Sequence, residues 1–217
     1  MLSMQLPNKM GVQILDVHKY FDGISETILV AASHAIDAVR VLLPVEGVDI
    51  VFQHAPQGAM DHLVFGGYTP DAHTIYISVD TARPDIKEII EHELAHTIAH
   101  ELHHAMRWRS VGYGDTLAEA LVTEGLADRF SVEATGGEPS LWTQGFSNEE
   151  LEALLVRARA EFDKTDYSHE DWFFGGNGLP KWGGYALGYF IVGKYLAEHP
   201  GVTAASLCDV EASEILK

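Results

Sequence analysis

The pattern H-E-x-x-H stands twice in one short stretch, as His92-Glu93-Leu94-Ala95-His96 and as His100-Glu101-Leu102-His103-His104. On a helix, residues four apart lie about 40° apart around the axis, one turn above each other. The two imidazoles of either pair can therefore reach one metal ion. The glutamate beside the first histidine then faces the coordination position left to water. Metal-assisted hydrolysis is the chemistry this arrangement serves.

A catalytic zinc takes three protein ligands and keeps its fourth position open. Twenty residues beyond His104 stands Glu124, in Glu124-Gly125-Leu126-Ala127-Asp128, whereas twenty beyond His96 stands Thr116, a poor ligand. The second frame is favoured on this count. His92 and His96 are rotated about 80° from His100 and His104 on an ideal helix. They read as partly exposed or hydrogen-bonded histidines, with a second metal as the alternative. His103 points away from the His100/His104 pair and reads as a surface or packing residue. Glu119 is a rival third ligand on another face of its helix. Arg107, one turn after His104, reads either as a carboxylate's partner or as a favourable charge at a helix end.

The elements that must position these residues can be read around them. Pro84, Asp85 and Glu88 suit a helix start, Arg107 and Arg109 suit its end, and no Gly or Pro interrupts Asp85 to Arg109. Ile86, Ile89, Ile90, Leu94, Ile98, Leu102 and Met106 supply its apolar stripe. A second helix, Thr116 to Ala134, has Glu119 three residues after Thr116 as in a capping box, and Gly136-Gly137 at its end. It carries Glu124 and Asp128 on one face. Ser147 with Glu150 opens a third, peripheral helix to Asp163, and Gly183 to His199 forms the last main one. Between these two, Tyr167 to Lys181 reads as an ordered loop rich in glycine and aromatic residues.

Towards the N-terminus, Asp22 to Leu43 reads as a helix capped by Ser25 or Asp22. Three strands are expected, at Val48–Phe52, Leu63–Tyr68 and His73–Val79. A loop at 56–58 precedes the second, and the turn 69–72 joins the last two into a hairpin. Residues 1–21 show no clear pattern. The fold class is α+β: a small mixed or antiparallel sheet beside the long helix, then a mainly helical C-terminal part. The reading is one domain over 1–217, with an α/β part to about residue 84 and a helical part from 85 that carries the metal site.

Composition narrows the function. The net charge is −18, which disfavours nucleic acid and, more weakly, anionic membranes as partners. The single Cys208 leaves no cysteine-based zinc site. No apolar run is long enough to span a bilayer, and no basic start followed by an apolar core opens the chain. A cytoplasmic location is the default expectation. Oligomeric state, substrate preference and the choice between endo- and exopeptidase action are left open.

His100-Glu101-x-x-His104 with Glu124-x-x-x-Asp128 resembles the thermolysin clan of metallopeptidases, the gluzincins. More closely, H-E-L-H-H-A-x-R, E-A-L-V-x-E-G-L-A-D and the late P-x-W-x-G-Y-x-x-G-Y resemble the bacterial YjaZ-like predicted zinc-dependent proteases. These motifs cover roughly residues 85–135 and 178–197. The resemblance implies a zincin-like fold and one zinc per chain, held by His100, His104 and Glu124, with Asp128 hydrogen-bonding His100. It implies hydrolysis of a peptide or protein substrate by a zinc-activated water, with Glu101 as general base. It also implies an oxyanion donor downstream: Tyr185 first, Tyr189 second, His169 third, unless these tyrosines merely pack their helix. In that clan an edge strand beside the active-site helix holds the substrate, so 63–68 or 73–79 would line the cleft, a plain hairpin being the alternative. Two other readings remain: a non-catalytic zinc-binding or regulatory protein on a retired protease fold, and a histidine-rich metal buffer using His92.

Overall fold

The computed structural model describes residues 2–6, 9–55 and 63–217, so the loop expected at 56–58 lies outside the described residues. The chain forms two compact units, Met1–Trp108 and Arg109–Lys217. The fold is α+β, with a five-stranded mixed sheet in the first unit and helices throughout the second.

Alternation with a period of two builds the sheet. In strand β5 (Thr74–Val79) Ile75, Ile77 and Val79 are buried, and half-buried residues stand between them. In β3 (Asp49–His54) Ile50 and Phe52 do the same. Two strands arise where the sequence showed no pattern, β1 (Leu2–Leu6) and β2 (Met10–Ile14). The sheet order is β1-β2-β3-β5-β4, with β4 at Phe65–Tyr68. The inner strands β2, β3 and β5 run parallel, and the edges β1 and β4 are antiparallel to their neighbours. β5 is thus paired on both sides, and β4 is an edge. The β4–β5 hairpin turns at Asp71, whose carboxylate accepts the backbone N–H groups of His73 and Thr74.

Helix α1 (Ser25–Leu42) connects the parallel strands β2 and β3, as a parallel pair requires. It buries Ile28, Ala32, Ala35, Ile36 and Val39 along one stripe and packs on α2 (Ile86–Arg107). Its N-terminus corrects the sequence reading. Ile24 is the N-cap with no side-chain bond, and Ser25 Oγ donates backwards to the Phe21 carbonyl at 2.8 Å. Helix α2 is one-sided at first: Ile86, Ile90 and Leu94 are buried, while Glu91, His92 and Glu93 are exposed. From Ile98 to Arg107 every residue is buried, including His103. His103 is therefore a packing residue.

In the second unit, α3 (Leu117–Thr135) starts in the expected capping box of Thr116 and Glu119, and Gly136 closes it in the left-handed conformation. Helix α4 (Asn148–Arg159) starts in the box of Ser147 and Glu150. The segment 167–181 is only partly a loop, because His169–Phe174 winds into a short helix, α5, capped by Ser168. Helix α6 (Gly183–Glu198) packs on α3 with the two backbones in direct contact. A Cβ on Gly125 would run into the Gly188 backbone, and one on Gly188 into the Leu121 carbonyl. Short turns and α7 (Ala212–Ile215) complete the unit. No helix among the described residues is long and apolar enough to cross a membrane.

Candidate metal centre

The buried half of α2 sets three side chains with possible ligand atoms side by side. His100, Glu101 and His104 offer donor atoms that all lie within 4.8 Å of one another, and all three residues are buried. The Nε2 atoms of His100 and His104 are 2.9 Å apart, with the ring planes at 83°. Two ligands at about 2.0–2.1 Å from a tetrahedral ion stand about 3.3 Å apart, so the observed gap is about 0.4 Å too short, a matter of small side-chain torsions. Two borderline-soft nitrogens and a carboxylate also match what zinc accepts. The residues present fit the metal. His92 and His96 do not join this cluster: His92 is exposed and His96 half-buried.

Glu101 is held from the sheet edge. Thr69, just past β4, donates its hydroxyl to Glu101 Oε2 at 2.6 Å. The Thr69 carbonyl in turn accepts the indole N–H of Trp108 at 3.0 Å. On β4 itself, Gly67 lies so close that a Cβ there would overlap the Glu101 carboxyl group. A glycine on the edge strand and a threonine just past its end therefore form the wall that this carboxylate rests on. Neither carries a sequence signal by itself. Only the pairing of β4 with β5 and its packing on α2 show their role.

The second unit holds the other expected site residues. Glu124 and Asp128, one turn apart on α3, are both buried. Tyr113 donates its phenol to Glu124 Oε1 at 2.7 Å. Burial, then the charge of Glu124, pushes that phenol well above its ordinary pKa, so it stays a donor. Tyr167 is pushed up to about 12, mainly by burial and then by Glu124. Burial lowers His169, and Glu124 opposes that shift. Tyr113 thus bonds the Glu124 carboxylate, and its charge is felt at Tyr167 and His169. Asp128 accepts the Trp142 indole N–H on both oxygens, each at 3.0 Å. Glu119 spends its carboxylate on the capping box, taking the N–H groups of Asp115 and Thr116.

The three oxyanion-donor candidates sit in different surroundings. Tyr185 is buried edge-on to Phe173, with ring centroids 4.9 Å apart, and lies 6.2 Å from Trp142. His169 stacks on the same ring, Phe173, at 4.3 Å. Tyr189 is covered by the Arg129 guanidinium, 3.5 Å above its ring, and its carbonyl accepts from the same group. Sequence reasoning missed Thr69, Gly67, Tyr113, Tyr167 and Trp142. The signal available for Tyr113 was its place between Gly112 and Gly114, a pattern that fixes a turn.

The family described as "Predicted Zn-dependent protease (DUF2268)" matches residues 30–217. The chain is 30% identical over 168 residues to a Bacillus subtilis (strain 168) protein named "Uncharacterized protein YjfC", covering 70% of this chain and 53% of that one. It is 31% identical over 141 residues to "Uncharacterized protein YjaZ" of the same organism, covering 63% and 52%. The chain spans about half the length of these curated relatives.

Proposed function

The chain belongs to the family of predicted Zn-dependent proteases, and from that footing we propose that it is a gluzincin-type zinc metallopeptidase hydrolysing peptide bonds. In this reading His100, His104 and Glu124 hold one zinc per chain, and Asp128 supports His100 from the outer shell. The observation that carries the reading is the convergence of the two Nε2 atoms, 2.9 Å apart, beside a buried glutamate anchored by its own hydrogen bond.

Zinc, when bound, acidifies a water and polarises the scissile carbonyl. The chain's own groups do the rest. Glu101 accepts the proton of the attacking water and passes it to the leaving amine. Its bond to Thr69 fixes the carboxylate before substrate arrives, so no torsional freedom is lost at that step. The substrate adds to the outer edge of β4 as an extended strand, which puts its backbone next to Gly67 and Glu101. β5 has no edge to offer, so 63–68 is the choice between the two strands considered. Tyr185, Tyr189 or His169 donates to the developing oxyanion. Tyr189, whose ring the Arg129 guanidinium covers, is the second candidate.

Glu101→Gln in the full chain tests the assignment. The variant should keep about one zinc per chain by metal analysis, and hydrolysis of a broad peptide library should fall about 10²–10⁴-fold. Undiminished hydrolysis would refute the general-base role. Zinc bound by the wild type without turnover of any peptide would favour the non-catalytic reading instead.

A further inference from the structure

The second unit carries a side chain whose placement the reading above does not use. Tyr113 sits in the loop between α2 and α3, and that loop is built to fix it. Gly112 and Gly114 on either side have φ of +78° and +93°, a backbone region that other residues rarely adopt. Thr123, fully buried on α3, donates its hydroxyl to the Tyr113 carbonyl at 3.0 Å. One residue further along the same helix, Glu124 accepts the Tyr113 phenol at 2.7 Å. Both ends of residue 113 are therefore tied to neighbouring positions of α3. The Glu119 carboxylate anchors the end of the loop through the N–H groups of residues 115 and 116.

A glutamate side chain has three torsions, and an unrestrained carboxylate loses their freedom when it binds a cation. A phenol held rigidly against one oxygen removes most of that loss in advance. We infer that Tyr113 is the positioning residue for Glu124, its O–H holding the carboxylate in the orientation that serves the cation. This rests on the reading of Glu124 as the third zinc ligand. Hydrogen-bonded supports of metal ligands typically contribute about 10–100-fold to metal affinity, and that range sets the scale here. A packing role would make the same bond without any effect on the metal.

The test uses the full-length chain, with Zn²⁺ affinity measured by competition against a chromogenic chelator. Co²⁺ absorption reports the ligand field independently of activity. Tyr113→Phe removes one oxygen and should weaken zinc binding about 10–100-fold and shift the Co²⁺ spectrum, with the circular dichroism unchanged. Glu124→Gln should weaken binding further. The double variant should bind zinc no more weakly than Glu124→Gln alone, because the phenol acts through the carboxylate. An unchanged affinity in Tyr113→Phe, with a clear loss in Glu124→Gln, overturns the positioning role and leaves the zinc site standing. An equal loss from Tyr113→Phe in both backgrounds also overturns it. Should Glu124→Gln itself bind zinc like the wild type, the ligand assignment fails, and this inference with it. If Tyr113→Phe does not fold, Thr123→Val takes its place: no loss of zinc affinity there refutes the proposal.

Discussion

Replacing Gly67 by alanine probes the wall behind Glu101. In most strands Gly→Ala stabilises, by about 0.4–1 kcal/mol, because the unfolded chain loses freedom. Here the sign should reverse. The added methyl would overlap three atoms of the Glu101 side chain: Cγ, Cδ and Oε1. Glu101 is only 5% exposed, so it cannot swing freely into water, and moving it breaks the 2.6 Å bond from Thr69. Losing a hydrogen bond to a carboxylate costs about 1.5–3 kcal/mol, and overpacking costs about 1–3 kcal/mol. The two overlap, so a net loss of about 2–3 kcal/mol is expected after the entropic gain. Urea denaturation monitored by circular dichroism reads it. The decisive comparison is made in a Glu101→Ala background, where the colliding atoms are gone. There Gly67→Ala should be neutral or stabilising by up to about 1 kcal/mol, giving a coupling energy of about 2–4 kcal/mol between positions on β4 and α2. If Gly67→Ala has the same effect in both backgrounds, the claim that β4 cradles this carboxylate is wrong.

Two further outcomes follow from the second unit. Gly188→Ala should destabilise by about 3 kcal/mol, because its Cβ meets the Leu121 carbonyl of α3 and backbone cannot step aside as a side chain can; an unshifted thermal melt would disprove the contact. Tyr167 titrates at about 12 in the folded chain against about 10 unfolded. Its raised value favours the folded state at all lower pH, and that contribution is lost as pH rises from 10 to about 12. Denaturation midpoints across that window should fall less steeply in Tyr167→Phe than in the wild type, and identical slopes would rule the shift out.

Much of the architecture was legible before any coordinates. Helix α2, both capping boxes and the β4–β5 hairpin are local events, fixed by residues within a turn or two of each other. The strands β1 and β2 were not. Met10, Val12 and Ile14 alternate, but five residues are too few to distinguish strand from helix, and β2 is completed by β3, thirty-five residues on. Helix α5 was hidden because its six residues run directly into the glycines 175, 176 and 178, and Ser168 supplies its start. Ser25, a good cap by type, turned its hydroxyl back to Phe21 instead.

By itself the sequence determined the chemical types and their helical spacing: two imidazoles one turn apart, a glutamate between them, and a later glutamate and aspartate on a common face. Spacing along one helix is set by backbone geometry, so it needs no fold to be read. Tertiary structure decided what touches those groups. Gly67 on β4 and Thr69 just past it come to Glu101 from more than thirty residues away, Trp142 comes to Asp128, and Tyr113 is brought round by two left-handed glycines to Glu124. Such contacts depend on how whole elements pack, and packing is a property of surfaces that no local pattern encodes.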